Sequence, residues 1–390
     1  MYLTTMLPSQ DELTSKLDFI WLSPFSWNAK CNSETQGMKI RIQHRTTYHY
    51  AEPVRLGPHR VMVRPREGHD LHIESSILTI RPAHATHWMR DVNGNSIALV
   101  DFTERANELM IYSELVLDHY DSDPLDFRVE PYAVHYPFVY DPWTLPELTA
   151  FTHIVFPTDA ERVRQWLGQF WQPGKLVETV SLLKRLNRFI KETFTYTRRH
   201  EYGVQRPTRT LEKNSGSCRD FATLFIEACR SWGLAARFVS GYMLCEATEA
   251  GHASTHAWAE VYLPGAGWKG FDPTSGTMTG SQHVAVAVSR HPEAATPISG
   301  SFTGVPTVYL GIEVDVKLEQ LDKPYVSPQQ PTLFPVSGQN QTQALPQLEP
   351  RVKTEDFGET SPLPNPQRQG QSVSTGDSGS ATQSIPANPR

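Results

Sequence analysis

Between residues 38 and 120, apolar side chains fall at every second position. Ile40, Ile42, His44, Thr46, Tyr48 and Tyr50 make one such set. Leu71, Ile73, Ser75 and Ile77 make a second, and Leu109, Ile111, Ser113, Leu115 and Leu117 a third. A period of two places each set on one face of a strand. Asn93-Gly94 is a two-residue hairpin signal, with Ile97, Leu99 and Asp101 on the returning strand. Short strands separated by turns predict a β-sandwich over residues 38–140. Residues 132–157, rich in Pro, Tyr and Phe, read as an ordered connector.

The period then changes. Val163, Trp166, Leu167 and Phe170 share a helical face, and Asp159 can cap a helix running to Trp171. Leu176, Val180, Leu183, Ile190 and Phe194 predict a second helix. Phe221, Leu224, Phe225, Ala228, Cys229 and Trp232 predict a third, stopped at Gly233. Alternation returns in residues 235–244, 253–263, 268–272 and 282–288, and again in 308–318. Pro264, Gly265, Ala266 and Gly267 supply the turn between the second and third of these strands. Helices followed by an antiparallel sheet give an α+β domain over residues 141–321.

Both ends of the chain lack this periodicity. Residues 1–37 read as a poorly ordered extension: no Lys or Arg precedes Lys16, and the apolar patch is broken by Asp18 and Pro24, unlike a signal peptide. Residues 322–390 are rich in Gln, Pro, Ser, Thr and Gly, cannot bury enough apolar surface to offset chain entropy, and read as a disordered tail. Its glutamines, Gln339, Gln341, Gln343, Gln369 and Gln371 among them, read as ordinary low complexity rather than as substrates of the chain itself.

The candidate chemistry begins at the third helix. Residues 214–232 read NSGSCRDFATLFIEACRSW, so a polar turn runs into the helix with Cys218 in its first turn. Unpaired backbone N–H groups and the helix dipole there favour negative charge, and the thiolate is the nucleophilic form of cysteine. His256 lies in THAWAE and Asp272 in GWKGFDPT. On a strand, His256, Trp258 and Glu260 share one face. Ala257, Ala259 and Val261 share the other, where small side chains let the sheet approach the cysteine helix. A turn centred on Pro264 would set His256 opposite Asp272; a turn centred further along would slide them apart by about 3.3 Å per residue. Singly, each residue has a plain reading: a buried thiol, a core histidine, an aspartate opening a turn. Together, in this order, they suggest a Cys–His–Asp triad.

These blocks resemble the transglutaminase-like superfamily of papain-type cysteine enzymes. The resemblance rests on Gly216, Cys218, Arg219, Asp220 and Phe221; on the run from Ala236 to Tyr242; on His256, Ala257, Trp258, Glu260 and Val261; and on Gly267, Trp268, Phe271, Asp272, Pro273 and Thr274. It implies a papain-like core behind an N-terminal β domain, with Cys218, His256 and Asp272 as catalytic residues and no cofactor or metal. It further implies acyl transfer from peptide or glutamine side-chain amides through a thioester, to water or to an amine. Hydrolysis is the preferred expectation, since nothing marks a lysine tunnel. The rivals are transamidation, a non-catalytic peptide-binding module, and a structural partner contacting others through its tail. Tyr202 or Gln205 is a candidate oxyanion donor, against ordinary loop polarity. Arg219 and Asp220 read as a structural pair. One departure stands out: relatives carry a Gly-Arg-Asp-Tyr-like run after the core, where this chain reads VSRHPEAATPISG and keeps only Arg290.

Bulk properties narrow the alternatives. A net charge of −6 over 390 residues leaves no electrostatic footprint for nucleic acid. No apolar run has the length of a membrane span, and the partner that the resemblance implies is a protein or peptide substrate. The four cysteines, Cys31, Cys218, Cys229 and Cys245, form no CxxC pair, and that pattern fits a reducing, cytoplasmic setting. Cys229 and Cys245 read as structural. His84 and His87, and likewise Arg60, Arg64 and Arg66, read as strand-surface residues rather than as a metal or anion site. No calcium loop is present.

Overall fold

A computed structural model describes residues 37–120, 123–199, 201, 203–244 and 254–321, and the backbone of 382–385. The extension before residue 37, most of the tail, Cys31, Cys245 and Tyr202 lie outside these described residues. The N-terminal region holds β1 (Met38–Leu56), β2 (His59–Val61), β3 (Leu71–Arg81), β4 (His84–Arg90), β5 (Ser96–Phe102) and β6 (Arg105–His119). After them come β7 (His135–Tyr136), α1 (Thr144–Thr152), α2 (Ala160–Leu167), β8 (Val177–Glu178), α3 (Thr179–Thr193), β9 (Thr195–Tyr196), α4 (Pro207–Lys213), β10 (Ser215–Gly216) and α5 (Cys218–Ser231). The chain continues through β11 (Ala236–Met243), β12 (Ser254–Leu263), β13 (Gly267–Asp272), β14 (Thr277–Met278), β15 (His283–Ser289), β16 (Ile298–Thr303), β17 (Tyr309–Gln320) and β18 (Thr382–Ile385).

The N-terminal strands form one nine-stranded sheet in the order β3-β6-β1-β16-β2-β5-β4, with β17 also on β1 and β18 on β16. Its two halves, joined where β1 meets β16, bury Tyr48, Leu109 and Ile111 of one against Val61, Ala98 and Val100 of the other. The alternation in β1 holds, with Ile40, Ile42, His44, Thr46, Tyr48 and Tyr50 all buried. Two sequence expectations need correction. The hairpin between β4 and β5 closes at Arg90 and Ser96, so its loop is residues 91–95 and not Asn93-Gly94 alone. Asp91 accepts from the backbone of Asn93 and Asn95, and that side-chain cage sets the longer loop. The strand expected to end the core sheet, residues 308–318, instead becomes β17 and pairs with β1 from Ile40 to Tyr50. Periodicity reveals a strand but not its neighbour.

The second region is α+β. Its sheet runs β14-β13-β12-β11-β15. Helix α5 packs on it, burying Phe221, Leu224, Phe225 and Ala228 with Ala257, Ala259 and Val261 in one cluster that also takes in α2 and α3. The helix boundaries differ from those read off the chain. Helix α2 ends at Leu167, and the Asp159 side chain does not cap it; its carboxylate instead meets Arg206 Nη2 at 2.5 Å and the Thr208 N–H at 3.1 Å. Helix α3 starts at Thr179, capped by Glu178, so Leu176 precedes it and lies exposed, while Leu182 and Leu186 join Leu183 and Ile190 inside. Helix α1 buries only Leu148 and so shows no apolar stripe, and α4 is seven residues long.

The two regions share a core. Ile40, Ile42, Leu71, Leu115 and Leu117 of the N-terminal sheet pack on Tyr242, Val284 and Val286 of β11 and β15. The Asn95 amide receives the Val288 N–H at 2.9 Å and donates to the Val288 carbonyl at 2.8 Å, as a neighbouring strand would. Among the described residues, no helix is long and apolar enough to cross a membrane.

On the far side of α5, Glu227 and Arg230 form a fully buried ion pair at 2.8 Å. Glu227 accepts from the N–H groups of Val155 and Phe156, and Arg230 donates to the carbonyls of Phe151, Ala236 and Arg290. Removing one ion strands the other in a low-dielectric interior. Arg230→Met is therefore expected to cost about 3–5 kcal/mol, read as a lower urea midpoint.

Candidate active site

Helix α5 begins on a polar knot. Ser217 is its N-cap, and Asp220 reaches back to accept from both the Ser217 N–H and hydroxyl at 2.8 Å. The Asp220 carboxylate is wholly buried and also takes Arg199 Nη1 at 2.9 Å and the Gln205 N–H at 2.7 Å. This binds the loop before α4 to the nucleophile turn. Arg199 ion-pairs with Asp220, and Arg219 Nη2 donates to the carbonyls of Glu201 and Arg199, so both residues read as structural in sequence hold the loop around this turn. Gly216 is needed here for close approach, because a Cβ would sit 2.8 Å from Asp220 Cβ and 3.1 Å from Gln205 Nε2. Gln205 is not aimed at an oxyanion either. Its amide donates to the Ser215 carbonyl at 3.0 Å and lies 3.4 Å from Asp220.

Cys218 thus occupies the first position of α5, buried, with no disulfide. The Ser217 and Asp220 N–H groups are used within this knot, whereas the Cys218 N–H, at the first helical position, has no intrahelical acceptor and can serve an anion. Cys218 and His256 line the same cleft, and the thiol is among the groups that raise the imidazole's proton affinity. On its other side, His256 Nε2 lies 2.9 Å from Asp272 Oδ2. Structure therefore brings together the three residues singled out in sequence.

The register that does so is not the one expected. Strands β12 and β13 pair Ala259 with Phe271 and Leu263 with Gly267, so the turn is centred on Gly265 and Asp272 is set toward Trp258. Gly265 supplies the left-handed backbone this turn requires, at φ 83°. The shift is two residues, an even number, so Asp272 keeps its face and reaches His256 along the diagonal. Asp272 Oδ1 accepts the Thr274 N–H at 2.8 Å, which fixes the carboxylate plane.

Burial by itself would lower the His256 pKa. The Asp272 charge and hydrogen bond, with a further contribution from Cys218, outweigh it and push the imidazole up to about 10. Burial would likewise raise the Asp272 pKa, but the His256 charge and the hydrogen bonds from His256 and His283 hold its carboxyl well below the usual range. For the second described cysteine, Cys229, burial pushes the thiol far up, in keeping with a structural role.

One site residue was not singled out in sequence. His283, at the start of β15, lies 3.5 Å from the same Asp272 Oδ2 and stands edge-on to the Trp258 ring at 5.3 Å. The available signal was a histidine leading an alternating strand close after Asp272, but nothing in one strand tells which carboxylate a neighbouring strand presents. His256, Asp272 and His283 are the one group with metal-ligand number among the described residues. The ring nitrogens that face Asp272 hydrogen-bond its Oδ2. His84 Nδ1 donates to the Pro82 carbonyl at 2.9 Å, and His87 is exposed on β4, outside that group.

Cys218 and His256 open onto a cleft of about 630 Å³ including its mouth. Val204, Phe238, Pro292, Ala295 and Pro297 line it with apolar surface, and Arg219 and Glu293 add charge. The run that departs from the resemblance, residues 288–300, thus forms one wall. Arg290, its retained member, faces elsewhere and donates to the Ala150 carbonyl at 2.8 Å.

Residues 174–273 match the transglutaminase-like superfamily, and residues 40–118 match the bacterial transglutaminase-like N-terminal region. The chain thus carries a transglutaminase-like core region behind a bacterial transglutaminase-like N-terminal region. An uncharacterized protein of Mycobacterium tuberculosis is 28% identical over 298 residues, covering 71% of this chain and 92% of the relative. One of Mycobacterium leprae is 24% identical over 289 residues, covering 71% and 98%. A candidate cysteine protease from Cytophaga hutchinsonii shares the fold at a TM-score of 0.57 and 19% identity, over 74% of this chain and 93% of its own. The transglutaminase-like core and the sheet-rich N-terminal region are thus seen in sequence and fold alike.

A proton on His256 is a pH-dependent contribution to this core. Its folded pKa is raised, so the stabilisation is complete below the unfolded value of about 6.5 and is lost as pH rises through about 10. Nitrogen-resolved NMR titration is expected to show the imidazole still protonated at pH 8. Asp272→Asn should move its deprotonation down by more than about one unit, since the largest stabilising charge is gone.

Proposed function

We propose that the chain is a cysteine-dependent acyl-transfer enzyme with water as the acceptor, acting on peptide or glutamine side-chain amides. The observation that carries this is the His256 imidazole, held between the Cys218 thiol and the buried Asp272 carboxylate at the floor of a cleft. In this reading, imidazolium and thiolate form the resting pair. The sulfur attacks the amide carbonyl carbon, and the oxygen takes the negative charge. The Cys218 backbone N–H, at the helix start, is one donor to that oxyanion.

The carbon–nitrogen bond then breaks, and His256 gives its proton to the departing amine, leaving a thioester. His256, now neutral, takes a proton from an incoming water. The hydroxide adds, the carbon–sulfur bond breaks, and acid product leaves with the thiolate restored. Asp272 stays ionised throughout and fixes which imidazole nitrogen faces the sulfur. Trp258, 1% exposed and 6.2 Å from the His256 ring, keeps water from the side of the imidazole–carboxylate pair. A free thiol nucleophile is in keeping with a reducing, cytoplasmic setting.

A peptide library containing internal glutamine, incubated with the enzyme and a primary amine, separates the chemistries by mass spectrometry. Shortened peptides or glutamine-to-glutamate conversion is the expected result. Amine adducts would replace the hydrolytic reading with transamidation. Cys218→Ala should abolish either product, a loss of at least about 10³-fold. Retention of product by that variant would end the proposal.

A further inference from the structure

The second imidazole on Asp272 is a feature the triad does not use. His283 is buried, and its Nε2 faces Asp272 Oδ2 at 3.5 Å, beside the 2.9 Å bond from His256. A ring nitrogen facing an ionised carboxylate has to carry a proton, because two lone pairs would repel. Nothing competes for that proton, since the other ring nitrogen, Nδ1, is buried with no hydrogen-bond partner. The ring is clamped by Trp258 on one side. Its backbone is fixed as well: the N–H donates to the Gly280 carbonyl at 2.8 Å, and the carbonyl accepts from His119 Nε2 at 3.1 Å. His119 is the last residue of β6, in the N-terminal sheet.

We propose that His283 is a positioning residue, which holds the Asp272 carboxylate on His256 and is itself braced by the N-terminal sheet through His119. A single line of contacts then runs from His119 through His283, Asp272 and His256 to Cys218. The N-terminal region thereby acquires a part in the chemistry: it sets the strand whose first side chain aims the carboxylate. This inference rests on the acyl-transfer reading for its consequence, but its structural content does not depend on catalysis.

The test uses the full chain. In the wild type, ¹⁵N-histidine NMR should show His283 with its proton on Nε2. His283→Gln keeps an N–H near the position of Nε2, and His283→Leu removes it. Alkylation of Cys218 by iodoacetamide at neutral pH should slow roughly tenfold in His283→Leu. It should stay within about threefold of wild type in His283→Gln, with similar urea midpoints for the two variants. Equal slowing in both variants, no slowing in His283→Leu, or a wild-type proton on Nδ1 would overturn the proposal. Should neither variant fold, the wild-type tautomer decides alone. Failure of wild-type Cys218 to react faster than Cys229 would count against the acyl-transfer reading while leaving the tautomer result standing.

Discussion

The site depends on a hydrogen bond of 2.9 Å between a buried imidazole and a buried carboxylate. Taking either group out of water as an ion is costly by itself. Each makes the other's charge tolerable, which is why His256 keeps its proton far above the ordinary histidine range and Asp272 keeps its charge far below the ordinary carboxylate range. The remaining surroundings serve that pair. Thr274 and His283 take up the other hydrogen-bonding capacity of the carboxylate, and Trp258 closes the apolar side.

The nucleophile's side of the site is governed by a second buried carboxylate. Asp220 gathers Ser217, Gln205 and Arg199 around the start of α5, so the helix begins at a fixed place and angle. The alanines of β12 then let the helix body lie close on the sheet. Two elements distant in sequence are brought to one cleft by two independent constraints, a polar knot at one end and tight apolar packing along the length. Neither would hold Cys218 against His256 alone.

Much of this was legible in the chain. The position of Cys218 in a first turn follows from NSGSCRD preceding an apolar helical stripe, and the faces of β12 follow from alternation around His256. Parity was legible even where register was not: the turn centred on Gly265 moved Asp272 two residues along, and an even shift preserves the face. What periodicity could not supply was partnership between elements. It found a strand at 308–318 but not that β1 receives it, and it found the strand after Asp272 but not that His283 meets that carboxylate. Nor could it supply Arg199, which lies well before the helix in sequence and ion-pairs with Asp220. Helix α4 escaped because a segment of two turns gives no stripe to read.

The most direct test of the account is to trap its covalent intermediate. The enzyme is mixed with an amide substrate, quenched in acid within one turnover, digested and examined by mass spectrometry. An acyl adduct on the peptide containing Cys218, absent when Asp272 is replaced by alanine, is the predicted result. Turnover of substrate with no acyl group on Cys218, or with the group on another residue, would contradict the account.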